Sequence, residues 1–161
     1  MGISQRRITV STVGVIEGIK RLARENFTVN LALSLHASNQ ETRKKIMNYA
    51  RKYPLEDLMS AVDEYSLLTK RDLTYEYILI SGINDTEENA EELVKLLGGR
   101  QCTVNLIPYN PVSGLLLKRP QRKEIEKFRA VLKRRRLLHT CRYTKGDDIA
   151  AACGQLALQE N

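Results

Sequence analysis

The stretch Val29-Asn30-Leu31-Ala32-Leu33-Ser34-Leu35-His36 is apolar at most positions, not only at every second one. A strand with one wet face alternates, whereas a strand covered on both faces does not. The stretch therefore predicts a strand inside a parallel sheet. On its amino side, Arg7 to Val13 is rich in β-branched residues and reads as a strand, closed by Gly14. Val15, Ile16, Ile19, Leu22 and Ala23 then recur at helical spacing. On its carboxyl side, Ser38 and Glu41 suggest a capping box for a helix through Ile46 and Met47. Pro54 opens a helix with Leu55, Leu58, Met59, Val62 and Leu68 on one face. Thr74 to Ser81 and Cys102 to Pro108 read as further strands. Between them lies a helix opened by Asp85 and Glu88 and stopped by Gly98-Gly99. Ile125, Phe128, Val131 and Leu132 form the core stripe of a basic helix. A short strand near Thr140–Thr144, a turn at Gly146 and a last helix holding Cys153 complete the chain. Strands separated by helices predict βαβ units and an α/β fold with a parallel sheet. An open doubly wound sheet and part of a β/α barrel both fit that pattern.

The 161 residues are expected to form one domain, 1–161, with 42% hydrophobic and 28% charged residues. No apolar run approaches the roughly 20 residues of a membrane helix, and the first residues carry no apolar signal region. The Met-Gly opening has Arg6 where a myristoylation signal wants Ser or Thr. A cytoplasmic protein without a membrane partner is the expectation. Cys102, Cys141 and Cys153 are too few and too widely spaced for a disulfide framework or a zinc knuckle, so no metal ligands are expected. The net charge is +7, and the segment from Lys118 to Lys145 holds twelve Lys or Arg against Glu124 and Glu126. Such a local surplus suits a polyanion such as RNA, although a solvated helix face has the same composition. Dinucleotide-binding and P-loop glycine patterns are absent.

Function in parallel α/β folds collects at the carboxyl ends of the strands. Ser11 and Thr12 fall there, as do Ser34 and His36, Asn110 in the Ile107-Pro108-Tyr109-Asn110-Pro111 loop, and Asp147-Asp148. These side chains offer hydrogen bonds with little fixed charge, as a pocket for a polar cofactor requires. Each also has a local reading. The serines can satisfy nearby backbone groups, and His36 can be structural. Asn110 suits a turn, and an aspartate suits a helix N-cap. Cys153 stands among Ala150, Ala151, Ala152 and Gly154, which is how an accessible thiol is presented and also how a small buried one looks.

The ordered set RRITVSTVG, LALSLHASN, NLIPYNP and GDDIAAACGQLA resembles the carboxyl-terminal part of the RlmN/Cfr family of radical-SAM adenosine methyltransferases, from Arg6 to Leu156. The resemblance implies a truncated partial (β/α) barrel: the last four barrel strands plus a carboxyl-terminal segment. It implies that Ser11, Ser34, Leu35, His36 and Asn110 contact S-adenosylmethionine and that Cys153 is the catalytic, methyl-carrying cysteine. A second S-adenosylmethionine, cleaved at a [4Fe–4S] cluster, would supply the radical that moves the methyl-derived carbon onto adenine, at carbon 2 in RlmN-type enzymes. The implied substrates are 23S rRNA and tRNA.

The cluster motif CxxxCxxC does not occur in the sequence, so the resemblance implies a missing upstream segment or chain that completes the barrel and an inactive fragment with a bare sheet edge. Three positions depart from the family pattern: Lys145 where it has arginine, Asn48 where it has proline, and Arg136 where it has glycine. An arginine in a left-handed helix cap would cost on the order of 1 kcal/mol. Two further readings stand beside this one. A non-catalytic basic RNA-binding α/β domain would bind RNA without needing Cys153. A cysteine-based redox or acyl-transfer enzyme would need a histidine beside Cys153, and none is near it in sequence.

Overall fold

The structure is a computed structural model that describes residues 4–25 and 27–143. The Gly146 turn, Asp147-Asp148, Lys145 and the expected last helix with Cys153 lie outside the described residues.

Five strands form one sheet: β1 (Thr9–Thr12), β2 (Asn30–Ser34), β3 (Leu73–Leu79), β4 (Cys102–Pro108) and β5 (His139–Cys141). Their spatial order is their chain order, and every neighbouring pair is parallel. A doubly wound sheet reverses its order at a switch point. This sheet does not, so the choice between the two architectures falls to the barrel type. Right-handed crossovers running always in one direction place the helices on one face. Those helices are α1 (Ile16–Arg24), α3 (Leu55–Thr69), α4 (Glu87–Leu97) and α5 (Arg122–Arg134), while α2 (Gln40–Ile46) packs its Ile46 into a second cluster with Ile78 and Ile80 at the strand ends.

Paired residues of a parallel sheet share a face, and side chains alternate along each strand. Leu31, Leu33, Leu73, Tyr75, Tyr77, Val104 and Leu106 turn toward Ile19, Leu58, Val62, Leu93 and Phe128 in the main core. Tyr77 and Phe128 meet with ring centroids 5.4 Å apart. The stripe expected on α5 is buried as read, because its spacing follows the helical period. The face of α3 differs at one position. Leu68 is 54% exposed, and Tyr65 takes the inward place, its hydroxyl donating to the Val29 carbonyl at 2.7 Å.

Two helix ends differ from the sequence expectation. Asn39, not Ser38, caps α2, accepting from the Thr42 amide at 2.8 Å. The capping box of α4 is Thr86 with Asn89, not Asp85 with Glu88. Asp85 instead accepts from the Gly82 amide at 2.9 Å and shapes the preceding turn. In each case two adjacent residues can accept the amide, and the chain's approach angle selects between them.

At the end of α5 the Arg136 amide donates to Lys133 and the Leu137 amide to Leu132, with Arg136 at φ 58°. This is the glycine-type cap with an arginine in its left-handed position. Arg136→Gly is expected to raise folding stability by about 0.5–1 kcal/mol, read as a higher urea midpoint at unchanged slope. A lower midpoint would show that the exposed arginine carries compensating contacts.

Candidate functional site

The sheet face turned away from the helices carries Ser11, Ala32, Ser34, Thr74, Glu76, Asn105 and Thr140 at successive paired positions. One row of paired residues, Ser34–Glu76–Asn105–Thr140, crosses four strands. Ser34 donates to the Glu76 carboxylate at 3.3 Å, and Thr140 donates to Asn105 Oδ1 at 3.1 Å. Ser34 and Asn105 are buried, whereas Ser11 at the sheet edge is exposed.

The carboxyl end of β2 is held by its neighbours. The amides of Leu35 and His36 both donate to the Glu76 carbonyl, at 3.0 and 3.1 Å. His36 then turns into the left-handed region at φ 60°. That conformation is costly for a residue with a Cβ, so the surroundings must impose it. Its Nδ1 accepts the Ile78 amide at 3.2 Å, which leaves the ring proton on Nε2. Burial, reinforced by the nearby Arg43 guanidinium, holds the imidazole down to about 4, so the ring is neutral at pH 7. Leu35 behaves differently from its neighbours: its side chain is fully buried in the main core. Only its backbone is left for a ligand on the inner side.

Two buried side chains do this holding, and neither carries a sequence signal for it. Asn84, in the loop after β3, accepts from the Ile80 amide at 2.8 Å and donates to the carbonyls of His36 and Ile78 at 2.7 and 2.6 Å. Arg43, on α2, donates to the carbonyls of Leu35 at 3.1 Å, Val13 at 2.8 Å and Ser34 at 3.3 Å. Burial pushes its guanidinium down to about 10, which still leaves it charged at neutral pH. Arg43 thus satisfies carbonyls that the ends of β1 and β2 would otherwise bury unpaired. On a surface helix, a lone arginine beside Lys44 and Lys45 reads as solvated. Glu76 did leave a trace, a charge inside the apolar run Tyr75-Glu76-Tyr77-Ile78-Leu79.

Asn110 follows β4. The Tyr109 amide before it donates to the Leu79 carbonyl at 2.9 Å, and Tyr109 is buried in a second apolar cluster with Ala37, Ile46, Met47, Ile78 and Ile80. That cluster anchors the loop beside the ends of β2 and β3. Asn110 Oδ1 accepts from Arg119 at 3.4 Å. The structure thus brings Ser34 and His36 to the carboxyl end of β2 and Asn110 to that of β4, the two strands that flank β3, with Ser11 on the same inner face. The volumes at the other end differ in kind. A groove of about 400 Å³ lies between Asp63, Lys70, Arg71 and Arg100, at the amino ends of β3 and β4. In parallel barrels that end serves stability, not chemistry.

A protein from Protochlamydia amoebophila bearing the name probable dual-specificity RNA methyltransferase RlmN 2 is 67% identical over 158 residues, 98% of this chain and 44% of its own length. A protein from Nostoc punctiforme named probable dual-specificity RNA methyltransferase RlmN is 47% identical over the whole chain, again 44% of its own length. Over nearly its whole length the chain is homologous to part of these RlmN proteins. It spans less than half the length of these RlmN relatives. A radical SAM methyltransferase from Sphaerobacter thermophilus superposes with a TM-score of 0.89 at 48% identity, over 96% of this chain and 46% of that one. A domain of a pyruvate-formate lyase-activating enzyme from Bacteroides vulgatus superposes with a TM-score of 0.64 at 16% identity, over 84% of this chain and 80% of that one, which shows a shared fold. No protein-family model matches the chain.

The donor set of this sheet suits an organic cofactor more than a metal. Among the described residues no group of three or more His, Cys, Asp or Glu side chains could hold a metal ion. Cys102 and Cys141 stand at outward-facing register positions, toward the helices. Burial raises both thiols, Cys102 to about 11. Neither faces the polar row. No helix among the described residues is long and apolar enough to cross a membrane.

Proposed function

We propose that this chain forms part of the S-adenosylmethionine site of a radical-SAM RNA methyltransferase, and that Cys153 is its methyl carrier. The gathering of Ser34, His36 and Asn110 at the carboxyl ends of β2 and β4, on either side of β3, together with the inner-face Ser11, carries this reading. In the proposal, S-adenosylmethionine supplies the methyl group and, at a [4Fe–4S] cluster held outside this chain, the radical chemistry. The hydroxyls of Ser11 and Ser34 and the amide of Asn110 orient it by hydrogen bonds. His36 offers its Nε2 proton as a donor that keeps the same state across neutral pH. The backbone of Leu35 contributes through its fixed geometry. Cys153 offers a thiolate as methyl acceptor, and the adenine to be modified is attacked at carbon 2, in 23S rRNA and in tRNA.

The cofactor half is tested by titrating S-adenosylmethionine into ¹⁵N-labelled chain. Amide shifts are expected at Ser11, Ser34, His36 and Asn110, with loss of affinity in Ser34→Ala. Shifts confined to other parts of the chain, or none at millimolar ligand, would overturn it.

The RNA half rests on the basic segment, whose charge the structure sorts into two groups. Arg134 and Arg135 both pair with Glu91 at 2.9 Å, and Arg129 pairs with Glu126 at 3.0 Å. Arg122, Lys123 and Lys127 lie exposed on the rest of α5. Helix α5 starts at the carboxyl ends of the strands, so Arg122 and Lys123 stand nearest the site. Reversing both to Glu is expected to weaken binding of a structured RNA about tenfold and to flatten its salt dependence by roughly two phosphate contacts. An equal loss from reversing Arg134 and Arg135 instead would place RNA at the other end. RNA binding without S-adenosylmethionine binding would leave a bare RNA-binding domain.

A further inference from the structure

Glu76 is the one charged side chain among the inner-facing positions of the five strands. Its row partners are neutral: Ser34 on one side, Asn105 on the other, and Thr140 beyond. The carboxylate is half-buried, and no salt bridge involves it among the described residues. One oxygen accepts from Ser34. A carboxylate accepts several hydrogen bonds, so among the described residues most of its capacity is unused. A single negative charge, partly desolvated and set among neutral donors and acceptors, selects for positive charge in whatever lies against it.

We infer that Glu76 is a cation-recognising subsite of the inner face, where a bound adenosine compound places its positively charged group. The inference rests on the cofactor reading above, since Ser34, its hydrogen-bond partner, belongs to that site. S-adenosylmethionine carries a sulfonium and an ammonium. Its neutral relative 5′-methylthioadenosine keeps the adenosine and the sulfur and carries neither charge. Glu76 therefore separates the charged ligand from the neutral one by charge, while Ser11, Ser34 and Asn110 serve both alike. The Ser34 bond also holds the carboxylate against β2, which limits the conformational freedom lost when a ligand arrives.

The test is calorimetric titration of this chain with S-adenosylmethionine and with 5′-methylthioadenosine, repeated on Glu76→Gln. Glutamine keeps an acceptor for Ser34 and removes the charge, so a purely structural Glu76 would leave the ratio of the two affinities unchanged. The expected result is that Glu76→Gln weakens S-adenosylmethionine about tenfold, leaves 5′-methylthioadenosine unaltered and so collapses the preference. S-adenosylhomocysteine, with its ammonium and no sulfonium, then reports which cation Glu76 meets. An unchanged ratio in Glu76→Gln, or an equal loss for both ligands, overturns the subsite and leaves the cofactor site standing. If the unsubstituted chain binds neither ligand, the subsite and the cofactor site fall together.

Discussion

Asn84→Ala is expected to cost about 3–4 kcal/mol of folding stability, at roughly 1–1.5 kcal/mol for each buried hydrogen bond lost. The side chain is fully buried and makes three such bonds, to the Ile80 amide and to the carbonyls of His36 and Ile78. Alanine can make none of them, and no water has an obvious route to a residue with no exposed surface. The Tyr77 hydroxyl also donates to the Asn84 carbonyl at 3.0 Å, so a shift of this loop disturbs the core beneath it. A loss of this size is a large share of the 5–15 kcal/mol typical of a domain. The expected signs are a lower urea midpoint and faster hydrogen exchange at the Ile80 amide. Asn84→Asp separates the two roles of the side chain. It keeps the acceptor for Ile80 but sets a negative charge against two carbonyls, so it should be at least as damaging at pH 7. A cost below about 1 kcal/mol for Asn84→Ala would show that the loop does not depend on these bonds.

Stability is also expected to fall by about 2 kcal/mol between pH 6.5 and 4.5, through His36. Its imidazole titrates near 6.5 in the unfolded chain and near 4 in the folded one. Between those values the unfolded chain takes up a proton that the folded chain refuses, so acid favours unfolding. Above about 6.5 both forms are neutral and the residue adds no slope. Each pKa unit is worth about 1.4 kcal/mol, and the partial exposure of the ring trims the total. Glu17, Glu88, Glu91 and Glu126 have lowered values through their hydrogen bonds and act in the same direction, but below the ordinary carboxylate range near 4.5. The window from 6.5 to 4.5 therefore belongs mostly to His36. His36→Asn tests this, because asparagine tolerates the left-handed backbone and does not titrate. Its stability should be flat across that window. An equal slope in both proteins would assign the pH dependence to other groups.

These effects meet at one place, the carboxyl ends of β2 and β3, and the sequence shows only part of it. Ser34 and His36 could be picked out because they close an apolar strand. Glu76 was visible as a break in another. Asn84 and Arg43 were not, because what they satisfy are backbone carbonyls of other elements. Arg43 shows the difficulty most clearly: it sits between a threonine and two lysines, in the composition of a wet helix, yet it is 1% exposed. Leu35 shows the converse. The resemblance set it in the cofactor site with its neighbours, and alternation along the strand sends its side chain to the core.

The sequence by itself determined the order and type of the described elements, the parallel character of the sheet, most of the core stripes of its helices and the likeness to RlmN proteins. Each of these is written in local period, composition or motif, which a linear chain displays directly. The tertiary structure alone decided that the sheet runs in chain order as a barrel does, which inner-face residues share a row, and which basic residues of α5 are already paired. It also decided that His36 is neutral and held in a left-handed turn. These depend on register between strands distant in the chain and on burial, and both arise only when the separate elements pack.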